Sequence, residues 1–171
     1  MYLDPAPSAG PTLRVAEYAA GVAAGAVLLR LGQSRYAVDM ADVAEVAMLP
    51  EVTRIPGSGP WLLGVANWRG RMLPVLDLRP LLDAATLPLS SSARLVVLAR
   101  DETVVGLLAE AVPGVYDESL AAMVAPPPTL AADAAALVTG RVRDGHGPVA
   151  VLDVGAVLTL RERVDRRRHG S

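Results

Sequence analysis

Short runs of apolar residues, separated by glycine, proline and polar turns, fill the chain from residue 26 onwards. Runs of this length that are rich in valine and bounded by turn residues are typical of β-strands. A first hairpin is predicted over Val27–Leu31 and Arg35–Met40, and a second over Gly64–Trp68 and Arg71–Leu78. The turn of the second hairpin contains Gly70, which adopts positive φ without strain. The pattern therefore predicts an all-β protein.

The second half of the chain repeats the first. Gly64–Leu82 aligns without a gap with Gly140–Leu158. Each copy then holds about five short strands, the number found in a small closed barrel. Because neither copy has enough residues for a large core, we expect two barrels that share an interface. The strands predicted in the second copy are Arg94–Ala99, Thr103–Leu108, Leu137–Arg143 and Pro148–Val154.

Two aspartates stand at equivalent places in the repeat. Asp77 precedes the apolar segment Leu78–Leu82, and Asp153 precedes Gly155–Arg166. These positions suit a helix N-cap, whose carboxylate accepts hydrogen bonds from the first backbone N–H groups of a helix. We therefore predict a short helix after each aspartate and interpret the pair as caps, not as a catalytic acid and base.

Glycine, proline and arginine content divide the chain into segments. Residues 1–26 are predicted to be a flexible N-terminal extension, in which residues 13–20 are compatible with a short helix. One domain over 27–160 follows, with a first half at 27–85, a linker at 86–92 and a second half at 93–160. Residues 161–171 form an Arg-rich C-terminal tail.

The composition excludes several classes of function. The chain has no cysteine and only 2 histidines, so we expect no catalytic residues, no metal site and no cofactor. A net charge of −2 with 2 Trp and 4 Tyr argues against nucleic-acid binding. The uncharged stretch Tyr18–Leu29 has 12 residues, and crossing a membrane takes about 20. We expect a cytoplasmic protein without direct membrane insertion.

Two polar clusters are candidates for partner contacts. Asp39, Asp42 and Glu45 recur every three residues but lack the glycine and spacing of a calcium loop, so we expect a solvated strand edge or a polar contact. Trp68 and Arg69 stand at the tip of the second predicted hairpin, and both residue types are enriched where protein partners bind. The residues alone leave this tip open as a structural turn or a partner site.

The same hairpin resembles the CheW family of bacterial chemotaxis adaptors. The family's Asn-Leu-Arg-Gly turn and Val-x-Asp-Leu strand end are matched by Asn67-Trp68-Arg69-Gly70 and Val75-Leu76-Asp77-Leu78. Val43-Ala44-Glu45-Val46 is similar to its Val-x-Glu-Ile element. Trp68 and Glu110 depart from the family pattern, since they stand where Leu and Asp are usual. The resemblance covers about Val27–Leu160.

This resemblance implies a fold of two five-stranded SH3/OB-like β-barrels packed together, with short helices. It also implies a non-catalytic adaptor that couples chemoreceptors to the histidine kinase CheA and is located at receptor arrays. An alternative is a CheW-like scaffold of a non-flagellar chemosensory pathway, in pili or surface sensing. The residues implied to contact the cytoplasmic tip of the chemoreceptor are Val43, Glu45, Asn67, Arg69 and Glu110. The residues implied to contact the regulatory domain of CheA are Val52, Thr53, Arg54, Ile55 and Gly57.

Overall fold

The computed structural model describes residues 13–14 and 24–170, without the side chains of 13, 14, 164, 165 and 167–169. The strands are β1 (Leu13–Arg14), β2 (Ala26–Leu31), β3 (Ser34–Asp39), β4 (Val43–Met48), β5 (Leu62–Trp68), β6 (Arg71–Leu76), β7 (Arg94–Arg100), β8 (Thr103–Ala109), β9 (Ala111–Tyr116), β10 (Val138–Asp144) and β11 (Gly147–Leu152). The helices are α1 (Ala132–Leu137) and α2 (Val154–His169), with 3₁₀ turns at Met40–Asp42 and Leu120–Ala122. The predicted all-β class is confirmed.

The strands form two sheets. One has the order β1-β4-β7-β8-β6-β5, and the other has the order β10-β11-β3-β2-β9. Apart from the two-residue β1, each sheet has five strands, as predicted. Each sheet also has one parallel pair, β6 with β8 and β3 with β11, at equivalent places in the repeat.

The sheets do not follow the two halves of the sequence. Hairpin β2–β3 of the first half lies in the sheet of β9, β10 and β11, and hairpin β7–β8 of the second half lies in the sheet of β4, β5 and β6. The expectation that each half forms its own barrel is therefore wrong. The physical reason lies in the short connections Met40–Asp42 and Glu110, which carry the chain onward into the other sheet instead of reversing it.

Each sheet curls until its two sides meet at a single isolated bridge. Thr53, beyond β4, pairs with Val65 of β5, and Val124, beyond β9, pairs with Arg141 of β10. Neither ladder is continuous around the ring, so the units are SH3-like and not closed barrels.

A glycine stands beside each of these bridges. A Cβ on Gly64, which has φ of +153°, would lie 2.2 Å from the carbonyl oxygen of Thr53. A Cβ on Gly140 would lie 2.8 Å from that of Val124. The predicted alignment of Gly64 with Gly140 thus has a physical cause, because both closures need a residue without a side chain.

Apolar side chains form three clusters. The interior of the five-stranded sheet holds residues such as Leu28 and Val149, and the interior of the six-stranded sheet holds Leu73 and Leu95. The largest cluster joins β2, β3, β4, β7 and β8 with both α-helices. Since this cluster draws on both sheets, the predicted shared core is present.

One of the two capped helices is present. The carboxylate of Asp153 accepts a hydrogen bond from the Ala156 amide at 3.1 Å and begins α2. The predicted helix over Leu78–Leu82 is wrong. That segment is a turn, which ends where Asp83 takes a φ of 55°. Asp77 instead accepts from the backbone N–H of Arg79 at 3.0 Å.

Part of the predicted N-terminal extension is ordered against the six-stranded sheet. Leu13 and Arg14 pair antiparallel with Val46 and Glu45 of β4. A helix that starts at Leu13 is therefore wrong for these two residues, and its remainder, residues 15–20, lies outside the described part of the chain. Among the described residues, no helix is both long and apolar enough to span a membrane.

Candidate functional site

The tip of hairpin β5–β6 has a turn that suits the twist of its strands. Its central residues, Arg69 and Gly70, have φ of 51° and 77°, as in a type I′ turn. The side-chain carbonyl of Asn67 accepts the backbone N–H of Gly70 at 3.0 Å. The left-handed region costs a residue with a Cβ roughly 1 kcal/mol, so Arg69 is held there by other contacts.

Glu45 of β4 is the first of these contacts. Its Oε2 atom accepts from Nε of Arg69 at 3.0 Å and from Nη2 at 2.8 Å. Glu45 is 5% exposed, whereas the side chain of Arg69 is 54% exposed. A register shift in the β4–β7 ladder between Val43 and Glu45 re-aims the side chains at this point, as bulges do.

Trp68 is the second contact. The guanidinium carbon of Arg69 lies 5.6 Å from the centroid of the Trp68 ring, in the range of a cation–π interaction. The ring packs at the margin of the six-stranded sheet's interior, and its Nε1 atom is buried with no hydrogen-bond partner in the described structure. A buried carboxylate and a rigid indole therefore fix a half-exposed arginine at a protruding tip.

Val43 and Glu110, also predicted to contact the receptor, have other neighbours. Val43 is 6% exposed and packs in the largest apolar cluster. The carboxylate of Glu110 accepts from Nη1 of Arg79 at 3.0 Å and from the backbone N–H of Gly32 at 3.1 Å. The structure thus brings Glu45, Asn67 and Arg69 together, buries Val43 in the core, and places Glu110 beside Arg79 near the end of β6 opposite the tip.

Arg79 is an important residue that the sequence analysis missed. It is 3% exposed and makes a bidentate pair with Asp77, with both contacts at 3.0 Å. Its Nη1 atom also donates to the Leu87 carbonyl. Hydrogen bonds with Asp77 hold the pKa of Arg79 above its ordinary value despite burial. This network ties Glu110, the residue between β8 and β9 at which the chain passes from one sheet to the other, to Arg79 and Asp77.

The predicted kinase-contact loop is anchored at one point. Thr53 and Val65 exchange two backbone hydrogen bonds, of 2.8 and 2.9 Å. Val52 and Ile55 are partly buried against apolar clusters. Arg54 and Gly57 are exposed on either side of Ile55. The loop therefore offers a charged side chain on a fixed backbone.

The three spaced acids have separate partners, so the expected solvated edge is wrong for Glu45. Asp39 accepts from the Ala41 amide at 2.9 Å, and Asp42 pairs with Arg100 at 2.8 Å. Among the described residues, no group of three His, Asp or Glu side chains is arranged to hold a metal ion. The arrangement around Arg69 suits the recognition of an acceptor group on another protein.

Comparisons with known proteins agree with this geometry. The family model for the CheW-like domain matches residues 25–162. The chain is 36% identical to protein PilI of Pseudomonas aeruginosa over 85 residues, which cover 50% of the chain and 48% of that protein. It is 24% identical to the chemotaxis protein CheW of Bacillus subtilis over 132 residues, which cover 77% of the chain and 85% of that protein.

A solved structure shares the fold. The scaffolding protein TtCheW from Thermoanaerobacter tengcongensis matches with a TM-score of 0.68 and 25% identity, over 76% of this chain and 88% of that chain. The matched family and the shared fold define the class as a non-catalytic scaffold. The chain belongs to the CheW-like family, whose members couple chemoreceptors to the kinase CheA.

Proposed function

We propose that this adaptor binds the cytoplasmic tip of a chemoreceptor with the tip of hairpin β5–β6. One observation carries the proposal: Arg69 is half exposed yet held by Glu45 and Trp68. A side chain that is already fixed loses little conformational entropy on binding, so its contacts contribute more to affinity. Asn67 holds the turn and Val43 anchors β4 in the core, while Glu110 bonds to Arg79 near the end of β6 opposite the tip.

The regulatory domain of CheA binds the loop that contains Val52, Thr53, Arg54, Ile55 and Gly57. The bridge from Thr53 to Val65 fixes the loop backbone, and Arg54 is exposed to solvent. The two sites use different segments of the same sheet, so one chain can hold both partners.

A second candidate is an adaptor of a non-flagellar chemosensory pathway. The similarity to protein PilI over half of this chain favours it. This alternative keeps the fold and both contact surfaces and changes only the receptor and the kinase that are bound.

Binding measurements with single-site variants test the proposal. Arg69→Ala is expected to weaken binding of a soluble receptor-tip fragment at least tenfold, a loss of about 1.4 kcal/mol, and to leave binding of the kinase domain unchanged. Arg54→Ala is expected to weaken binding of the kinase domain and to leave binding of the receptor-tip fragment unchanged. The matched control is Arg71→Ala, which removes an exposed arginine from the same hairpin. A folded Arg69→Ala variant that binds the receptor fragment normally would overturn the receptor site.

A further inference from the structure

The segment that precedes the CheW-like domain occupies the outer edge of β4. Family similarity begins at residue 25, but Leu13 and Arg14 pair with Val46 and Glu45. In the sheet order, β4 has β7 on one side and only β1 on the other. The edge of the strand that carries Glu45 is therefore covered by residues outside the domain itself.

The internal repeat supplies a comparison for this edge. The strand equivalent to β4 is β9, which is the last strand of the other sheet and has no covering strand among the described residues. It contains Pro113 and Gly114, which blunt an edge because proline has no N–H to offer. Strand β4 has the sequence VAEVAM, without either residue, and so keeps a complete row of pairing groups. Of the two equivalent strands, β9 is thus blunted and left uncovered among the described residues, whereas β4 can accept another strand and is paired with β1.

The covering strand lies directly against the proposed receptor site. Arg14 and Glu45 are Cα partners, and partners in antiparallel strands are about 5 Å apart. A protein that approached the Glu45–Arg69 pair from this edge would meet the backbone of Leu13 and Arg14. Among the described residues that precede the domain, Leu13 and Arg14 alone pair with β4, and so short a strand is easily displaced.

We infer that the N-terminal segment is a built-in, displaceable cover of the β4 edge that competes with receptor binding. The occupant is residues 13–14 of the same chain, and the inference rests on the proposed function of the Glu45–Arg69 site. Cover and receptor are then negatively coupled, because each binds better when the other is absent.

Two variants test the cover. The first is a chain that begins at Ala24, and the second is the full chain with Leu13→Pro and Arg14→Pro, which lacks the N–H groups that a ladder uses. The control is the full chain with Leu13→Ala and Arg14→Ala, which keeps both backbone N–H groups. Because successive amides of a strand point to opposite edges, only one of Glu45 and Val46 donates towards β1 and the other faces β7. Hydrogen exchange is expected to rise at the amide that faces β1, in both variants and not in the control.

The same variants are expected to bind the receptor-tip fragment about fivefold more tightly than the full chain, the lower end of typical coupling. Exchange and affinity that match the full chain would overturn the cover, and so would weaker receptor binding by both variants. Exchange protection that depends on protein concentration would also overturn it, since the strand would then come from a second copy. If no chain binds the receptor fragment, the proposed function fails, while exchange at β4 alone still decides whether the segment covers the edge.

Discussion

Several ion pairs in this protein join residues that are distant in sequence, and the contribution of each to stability depends on burial. Exposed pairs contribute little, because water and salt screen them, whereas a carboxylate left unpaired after burial is costly. Two of these ion pairs, one in each sheet, are those of Glu45 with Arg69 and of Arg35 with Asp144. Each leads to a measurable expectation.

The Glu45–Arg69 pair is expected to stabilise the fold as well as to serve binding. Arg69→Ala leaves a buried carboxylate without its partner, which costs about 1–3 kcal/mol. Glu45→Gln removes that charge. In the Glu45→Gln background, Arg69→Ala is therefore expected to lower the free energy of unfolding by clearly less than it does in the parent. Urea unfolding of the four proteins in the cycle measures this coupling. Strictly additive losses would mean that the pair is only a surface contact.

Asp144 is expected to make stability depend on pH. A bidentate contact with Arg35, together with the His146 amide, holds the pKa of Asp144 well below its ordinary value. The folded pKa lies below the unfolded value of about 3.9, so this stabilisation is complete above that pH and is lost as the pH falls below it. Asp144→Asn is expected to lower stability at pH 7 by about 1 kcal/mol, and by clearly less at pH 3, where the unfolded chain is already protonated at this residue.

Thermal melts at the two pH values check the effect of Asp144. The matched control is Asp133→Asn, which changes an exposed acid in the first turn of α1. A gap between parent and Asp144→Asn that stays the same at both pH values would show that the ion pair contributes nothing.

Hairpins are the elements that the sequence specifies most completely. The alternation of apolar residues and the turn residues predict the strands of all four hairpins, because those signals are local. The helix over Leu78–Leu82 was mispredicted, because an aspartate before an apolar run looks like a cap whether or not a helix follows. The carboxylate of Asp77 instead accepts hydrogen bonds from Arg79, a contact that depends on the tertiary fold.

The closure of each sheet is expected to depend on its glycine. Gly64→Ala is expected to destabilise the protein by several kcal/mol, because the added Cβ would meet the Thr53 carbonyl in a backbone conformation that alanine rarely adopts. Gly114→Ala in β9 is the control, since nothing lies within 4 Å of the added atom. Denaturant midpoints compare the two variants. Equal midpoints would show that the bridge at Thr53 is dispensable.

The whole molecule is held together by the exchange of hairpins between the two halves of the sequence. Local patterns do not reveal this exchange, because a hairpin in one copy fits the equivalent sheet of the other copy equally well. The burial of Glu45 was hidden for the same reason, since evenly spaced acids look solvated until the neighbouring strands are known. The receptor and kinase contacts that the family resemblance implies remain predictions, although the fold brings Glu45 and Arg69 of the receptor set into direct contact.

Separate fragments 1–90 and 91–171 are expected to be largely unfolded. Each would lack the partner strands of its hairpins, and the largest apolar cluster draws on both fragments. A mixture is expected to recover β-sheet signal by circular dichroism, and the intact chain to unfold in one transition. Two fragments that each melt cooperatively on their own would contradict this account.

The central claim is that one chain holds a receptor tip and the regulatory domain of CheA at the same time. The most direct measurement is size-exclusion chromatography with light scattering. It compares a mixture of the receptor fragment, the CheA regulatory domain and this protein with a mixture of the two partners alone. We predict one peak with the summed mass of all three, formed only when the protein is present and lost with Arg69→Ala or Arg54→Ala. If the receptor fragment and the kinase domain instead displace each other from the protein, the two surfaces are one site and the adaptor account is wrong.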